Sequence, residues 1–336
     1  MRQIFLTGLM AGLLALQACN SSSRTDALNI AVPVPSNEIT SSIAGADLAE
    51  PQTTDVDRLL AAETAYQQPL PPQTSTQQQP VETAALTPPR KPAARANRNP
   101  WAGKKVYRQR FRDAQPVNFG RAAPHPFEVH GVDVSHWQAQ IDWKTLRKQG
   151  ANFAFIKATE GGKHVDRLFK KNWKAAKAAG IPTGAYHFFY WCRSAEEQAK
   201  WFIRHVPKEA GSLPPVLDVE WYGNKRSCPQ KPSRKRVLAK MTVWLDIVER
   251  HYGVKPIIYV TPDFYEDNLQ GQFKRHSFWL RSVAEHPRGR YPNRDFAFWQ
   301  YSGTGLSKGV STQIDLNVFN GTAQSWRKWL AQRTVK

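Results

Sequence analysis

The feature that most constrains this chain is a strand-then-helix rhythm that starts near Phe127 and then breaks off. Residues 129–134 read as a strand, and Asp142 is placed to cap a helix over 143–149. Residues 153–158 form an apolar strand, and 166–179 form a helix closed by Gly180. A strand over 183–189 follows, and Ser194 with Glu197 makes a capping-box pattern for a helix to about residue 206. Residues 215–220 are a strand, Ser233 caps a long helix to about 252, and 256–261 are the next strand. Three more strands, 278–283, 296–301 and 314–319, come without a long helix between them. The count is five βα units and then three strands. Continuous apolar strands in βαβ units imply a parallel sheet covered by helices. Eight such strands imply an α/β fold of the TIM-like barrel kind. A doubly wound open sheet fits less well, because its last strands would lack helices.

The first third of the chain reads differently. Met1 and Arg2 precede an apolar run from Ile4 to Leu16, and Leu16-Gln17-Ala18-Cys19 follows. A positive start, a short apolar stretch and a small residue before the cut make an export signal over 1–19. The run is too short to stay as a spanning helix. Cys19 directly after Ala18 fits a lipobox, with acyl chains on Cys19 as a membrane anchor. That places the protein in the cell envelope, on the periplasmic side of an outer membrane if there are two membranes. Residues 20–125 then read as a disordered linker. Pro69, Pro71, Pro72, Pro80, Pro88, Pro89 and the Gln77–Gln79 run leave too little apolar surface to offset ordering entropy. Its last stretch, 90–121, is strongly basic and is either a solvated tether or an arm for anionic wall or lipid groups. The folded domain is expected over 126–332.

The chain carries 47 Lys and Arg against 27 Asp and Glu, a formal net charge of +20. Such a balance favours polyanionic surroundings. No zinc-finger spacing, RNP motif or P-loop accompanies it, so nucleic acid is not the expected partner. Of the 3 cysteines, Cys192 and Cys228 remain once Cys19 is set aside. In an exported protein they are candidates for a disulfide.

In a β/α barrel the working residues sit at the C-terminal ends of strands. Here those ends are rich in acids: Asp133 on the first strand, Asp218 and Glu220 on the fourth, Asp315 on the eighth. Asp218 and Glu220 are two apart, so they share one face of their strand. Both lie in an apolar run with Val216, Leu217 and Val219. Two carboxyls held together in apolar surroundings raise a pKa and keep an acid protonated near neutral pH. That equips them to protonate a glycosidic oxygen. Four acids could instead hold Mg²⁺ or Ca²⁺, but sugar cleavage needs no metal, and none is expected. Tyr186, Trp191, Trp221, Tyr259, Trp279, Trp299 and Tyr301 near strand ends offer flat faces for pyranose rings. His187 reads as a packing histidine rather than a base, because it neighbours Tyr186 on the opposite face.

These segments resemble the family 25 glycoside hydrolases, muramidases of the Chalaropsis type. The carrying motifs are G-V-D-V-S-H-W-Q at 131–138, I-D-W at 141–143, F-I-K-A-T-E-G at 155–161 and A-G-I-P-T-G-A-Y-H-F at 179–188. L-D-V-E at 217–220, F-W-Q-Y-S at 298–302 and I-D-L-N at 314–317 complete the set in family order. The resemblance implies a flattened barrel and cleavage of the β-1,4 bond between N-acetylmuramic acid and N-acetylglucosamine in peptidoglycan strands. It implies Glu220 as general acid, with Asp218 as nucleophile or as the group that orients the substrate N-acetyl. Asp133 and Asp315 match the other cleft acids, and Tyr186 and Gln300 match cleft-lining positions; Trp299 and Tyr259 are expected beside them as substrate contacts. One strand departs from the pattern: W-I-A-x-Y is usual, whereas Trp279-Leu280-Arg281-Ser282-Val283 stands here. The competing expectations are an inactive wall-binding protein on the same fold and a chitinase-like glycosidase. A monomer without cofactors is expected.

Overall fold

A computed structural model of the chain describes residues 101, 103–221 and 231–336. The expected export signal, Cys19 and most of the expected linker lie outside the described residues, as does Cys228.

The barrel strands are β1 (His130–Val134), β2 (Ala154–Glu160), β3 (Thr183–Phe188), β4 (Val216–Val219), β5 (Ile257–Val260), β6 (Phe278–Arg281), β7 (Phe298–Leu306) and β8 (Ile314–Phe319). They run parallel from β1 through β7. β8 then lies antiparallel between β7 and β1 and closes the ring. The uniform parallel sheet expected from the sequence therefore needs this correction. A short link after β7 leaves no room for a crossover, so the last strand must run back.

Helices follow the first five strands: α1 (Trp143–Lys148), α2 (Phe169–Ala178), α3 (Ala195–His205), α4 (Arg234–Tyr252) and α5 (Pro262–Asn268). The sequence signals that start them operate as hydrogen bonds. Asp142 Oδ1 accepts from the Thr145 amide at 3.0 Å, and Ser194 Oγ accepts from the Glu197 amide at 3.4 Å. Ser233 Oγ accepts from the Arg236 amide at 3.4 Å, and Gly253 ends α4 in the left-handed conformation at φ 72°. α5 and the C-terminal α6 (Ala323–Arg333) are not evident in the sequence pattern.

Alternation along the strands sorts side chains into two cores. Val132, Ile156, Ala185, Leu217, Ile258 and Leu280 face outward under the helices. Phe153, Phe155, Val216, Ile257, Trp279 and Phe298 fill the barrel itself. The floor is sealed by α6, whose Trp326 meets Phe153 at 5.6 Å and Phe319 at 5.0 Å between ring centroids. Gly131 and Gly184 flank this filling. A Cβ at Gly131 would fall 2.5 Å from the Phe153 ring, and one at Gly184 would fall 2.7 Å from Phe155. Small residues on β1 and β3 thus admit the rings of Phe153, just before β2, and Phe155 on it.

The expected linker extends too far. Trp101 and Phe111 are buried, and Arg112–Asp113 pair antiparallel with β7. Arg147 Nη2 donates to the Lys105 carbonyl at 2.7 Å, and the Tyr107 amide donates to Asn152 Oδ1 at 2.8 Å. Two apolar anchors and a strip of backbone pairing hold this basic segment on the barrel, in spite of its charge.

Candidate active site

The mouth of the barrel gathers charged and polar groups from most of its strands. Asp218 and Glu220 come from the end of β4, Asp133 from β1, Lys157 and Glu160 from β2, and Arg281 from β6. Asp315 sits near the start of β8, and because that strand runs backward its start lies at the mouth. In register it stands directly opposite Asp133.

Beneath the acids runs a directed chain of hydrogen bonds. Tyr259 Oη donates to Gln300 Oε1 at 2.9 Å, and Gln300 Nε2 donates to Asp133 Oδ1 at 3.0 Å. From the other side Trp279 Nε1 donates to Asn317 Oδ1 at 2.7 Å, and Asn317 Nδ2 donates to the same Asp133 Oδ1 at 2.7 Å. Each amide accepts on oxygen and gives on nitrogen, so one orientation satisfies every group. Lys157 Nζ binds Glu160 Oε2 at 2.5 Å, and the Tyr190 hydroxyl donates to Glu160 Oε1.

The acids form two pairs. Asp218 and Glu220 act on each other's ionisation, and so do Asp133 and Asp315. Burial pushes Asp218 well above the usual carboxylate range, and the Glu220 charge pushes it further. Burial also raises Glu220, against the pull of Arg281. Asp133 rises to about 6 through burial, against its bonds from Asn317 and Gln300. Burial and the Asp133 charge raise Asp315. Asp218 Oδ1 and Glu220 Oε1 are buried and accept from no donor among the described residues. A proton held between the two carboxyls, or a bound substrate, can serve them. Buried polar atoms left open call for an explanation, and a working site is one.

The sequence-derived residues divide by strand parity. Asp133, Tyr186, Asp218, Glu220, Tyr259, Gln300 and Asp315 face the barrel interior. Gln300 is engaged at both ends of its amide, so it holds Asp133 rather than standing open in the cleft. Trp299 is a correction. It points outward, its Nε1 donates to the Ser282 carbonyl at 2.7 Å, and its ring packs on Phe119 at 5.2 Å. Adjacent residues on a strand cannot both face the cleft, and Gln300 takes the inward place. Tyr301 likewise faces outward, toward His130. Trp191 packs on Phe264, and its Nε1 donates to the Glu220 carbonyl at 2.9 Å. His187 is the expected packing histidine: it bonds Thr159 Oγ1 at 2.7 Å and stacks on Trp244. Burial depresses it to about 3. Cys192 is disulfide-bonded; Cys228, its expected partner, lies outside the described residues.

Lys157, Glu160, Arg281 and Asn317 belong to the site but do not stand out as site residues in the sequence. The signal was available for Arg281, which is two residues from inward-facing Trp279. At the rim, Trp137 is 52% exposed on a single turn after β1. Ser135 and Gln138 cap that turn reciprocally, and Gln138 Nε2 reaches the Gln313 carbonyl at 3.2 Å beside β8. His136 is fixed by Asp166 Oδ2 at 2.9 Å and lies against the indole, 4.6 Å between centroids.

An acid-lined mouth on a β/α barrel can be compared with known proteins. The family model of glycosyl hydrolases family 25 matches residues 132–310. The chain belongs to this family. Within it, the chain is 40% identical to the uncharacterized protein YegX of Escherichia coli K12, over 64% of this chain and 78% of that one. It is 34% identical to Lysozyme M1 of Streptomyces globisporus, over 58% of this chain and 69% of that one. A solved family 25 glycosyl hydrolase from Bacillus anthracis superposes with a TM-score of 0.56 at 41% identity. That match covers 60% of this chain and 93% of the Bacillus chain. This family 25 member is a glycoside hydrolase.

Proposed function

We propose that the chain is an N-acetylmuramidase that cuts the β-1,4 bond between N-acetylmuramic acid and N-acetylglucosamine in peptidoglycan. The observation that carries this reading is the buried Asp218–Glu220 pair, with carboxyl oxygens that no donor of the described residues serves. The likeness to Lysozyme M1 supports the choice of substrate. Glu220 gives its proton to the glycosidic oxygen as the bond breaks. Asp218 stabilises the developing oxocarbenium charge, by attacking carbon or by orienting the substrate's N-acetyl carbonyl. Tyr186, whose phenol burial and nearby acids keep neutral, supplies a donor in the cleft. Release of fragments with a new muramic acid reducing end from purified peptidoglycan tests the reading.

The pH dependence follows from the pair. Activity needs one proton on the two carboxyls. Raising the pH removes it, and because both groups are raised the loss comes above the ordinary carboxylate range. Lowering the pH adds a second proton and neutralises Asp218. The profile of kcat/KM measured from about pH 4 to about pH 9 is therefore a bell whose apparent values belong to the pair. Activity that climbs steadily to the alkaline end would contradict this assignment.

Trp137 serves as a sugar platform at the rim of the cleft. Trp137→Ala is expected to raise KM by roughly 3- to 10-fold, the worth of one ring contact. Steady-state kinetics on soluble glycan fragments check this, with thermal melting to show that the exposed site tolerates the change.

We also infer export and lipid anchoring through Cys19, from the lipobox pattern alone. The strong positive charge then suits work beside anionic wall and membrane.

A further inference from the structure

Among the described residues, several cations that are buried wholly or in part have partners. Arg147 donates to the Ala151 carbonyl and Asn152 Oδ1 at 3.1 and 2.8 Å. Lys240 donates to the carbonyls of Trp191 and Arg193 at 3.1 and 2.7 Å. Arg294 donates to those of Leu269 and Gln272 at 3.1 and 2.8 Å. Lys157, in the cleft, is tied to Glu160.

Arg281 differs. Its backbone is pinned, since the Tyr291 hydroxyl donates to its carbonyl at 2.6 Å, with the Val260 carbonyl oxygen 3.0 Å from the same hydroxyl. Its side chain leaves β6 on the inward face, in register with Gln300. The guanidinium feels the charges of Glu220 and Asp315, yet it makes no hydrogen bond or ion pair with any of the described residues. A partly buried cation whose five donors no protein group takes up is placed to meet acceptors from solvent or from a ligand. None of the described acids lies within ion-pair distance of it. The planar fork matches one ligand chemistry well, a carboxylate bound through two parallel hydrogen bonds. In the sequence, Arg281 also stands where the resembling pattern W-I-A-x-Y has alanine.

We propose that Arg281 is a specificity-determining residue that grips a carboxylate of the substrate beside the Asp218–Glu220 pair. The proposal rests on the muramidase reading. Peptidoglycan offers two sources of that carboxylate. One is the lactyl group of muramic acid once its peptide has been removed. The other is the stem peptide, where it is still attached. Binding at Arg281 would draw the strand into the acid-lined mouth, which otherwise repels anions.

The test uses four substrates made from one peptidoglycan: intact strands, strands stripped of stem peptides by an amidase, and each of these with its carboxyls converted to methylamides. The purified protein is expected to cleave free-carboxyl strands with a kcat/KM about 10-fold or more above their amidated counterparts, in the range of a charged hydrogen-bond pair. Discrimination within the stripped pair identifies the lactyl carboxylate, and discrimination within the intact pair identifies the stem. In Arg281→Gln the ratio should fall to within about 2-fold of one, while Arg281→Lys, which keeps charge and loses the fork, should give an intermediate ratio. A wild-type ratio near one in both pairs overturns the proposal, and that result stands whether or not a variant folds. A ratio that survives in Arg281→Gln overturns it as well. If the wild type opens none of the four substrates, the muramidase reading itself fails and takes this proposal with it.

Discussion

Glu220→Gln is expected to lower kcat on purified peptidoglycan by about 10²–10⁴-fold, the worth of a positioned general acid. The substitution keeps the shape of the side chain and removes the proton that the glycosidic oxygen needs. Stability should not fall with it. Glu220 and Asp218 are both raised by burial, and the Glu220 charge raises Asp218 further. An amide in place of one acid relieves that repulsion and can donate to Asp218 Oδ1, which no donor of the described residues serves. Initial rates of fragment release, measured beside a thermal melt, check both halves. A variant that melts at or above the wild-type temperature and has lost its turnover fits the assignment. Retained turnover would move the acid role elsewhere in the cleft.

Trp279→Ala is expected to cost about 3–5 kcal/mol of stability, the range for truncating a large buried aromatic residue. Trp279 sits between the apolar filling of the barrel and the acids above. It stacks on Phe155 at 4.7 Å and meets Tyr259 edge-on at 4.5 Å. Its Nε1 also sets the Asn317 amide that holds Asp133. Truncation therefore opens a cavity and frees a buried acceptor at once. Urea denaturation should show the midpoint falling with little change in slope. A loss below about 1 kcal/mol would mean that this ring does not knit core and site together.

Much of the barrel could be read from the sequence because its strands obey simple parity and its helices start with real caps. Asp142, Ser194 and Ser233 each cap the helix they were expected to cap. Asp218 and Glu220 share a face because they are two apart on β4, and closure then brings Asp133 and Asp315 opposite each other. Parity was also the limit. Trp299 and Gln300 are neighbours, so only one of them can reach the interior, and the motif by itself does not say which. Arg281 and Lys157 are cations inside apolar strands; spacing puts Arg281 on the face of Trp279, but only closure of the barrel aims the two cations at four acids. The reversed direction of β8 is set by the short link from β7, not by its own residues. The segment before residue 126 reads as a tether by charge and proline, whereas buried Trp101 and Phe111 and the pairing of Arg112–Asp113 attach its end to the barrel.

Mass analysis of borohydride-reduced fragments released from purified peptidoglycan, wild type beside Glu220→Gln, decides whether this cleft is a muramidase with Glu220 as its acid. Reduced N-acetylmuramic acid at the new ends is expected with wild type and should be lost with the variant. Reduced N-acetylglucosamine at those ends, or the same products from both proteins, would contradict that assignment.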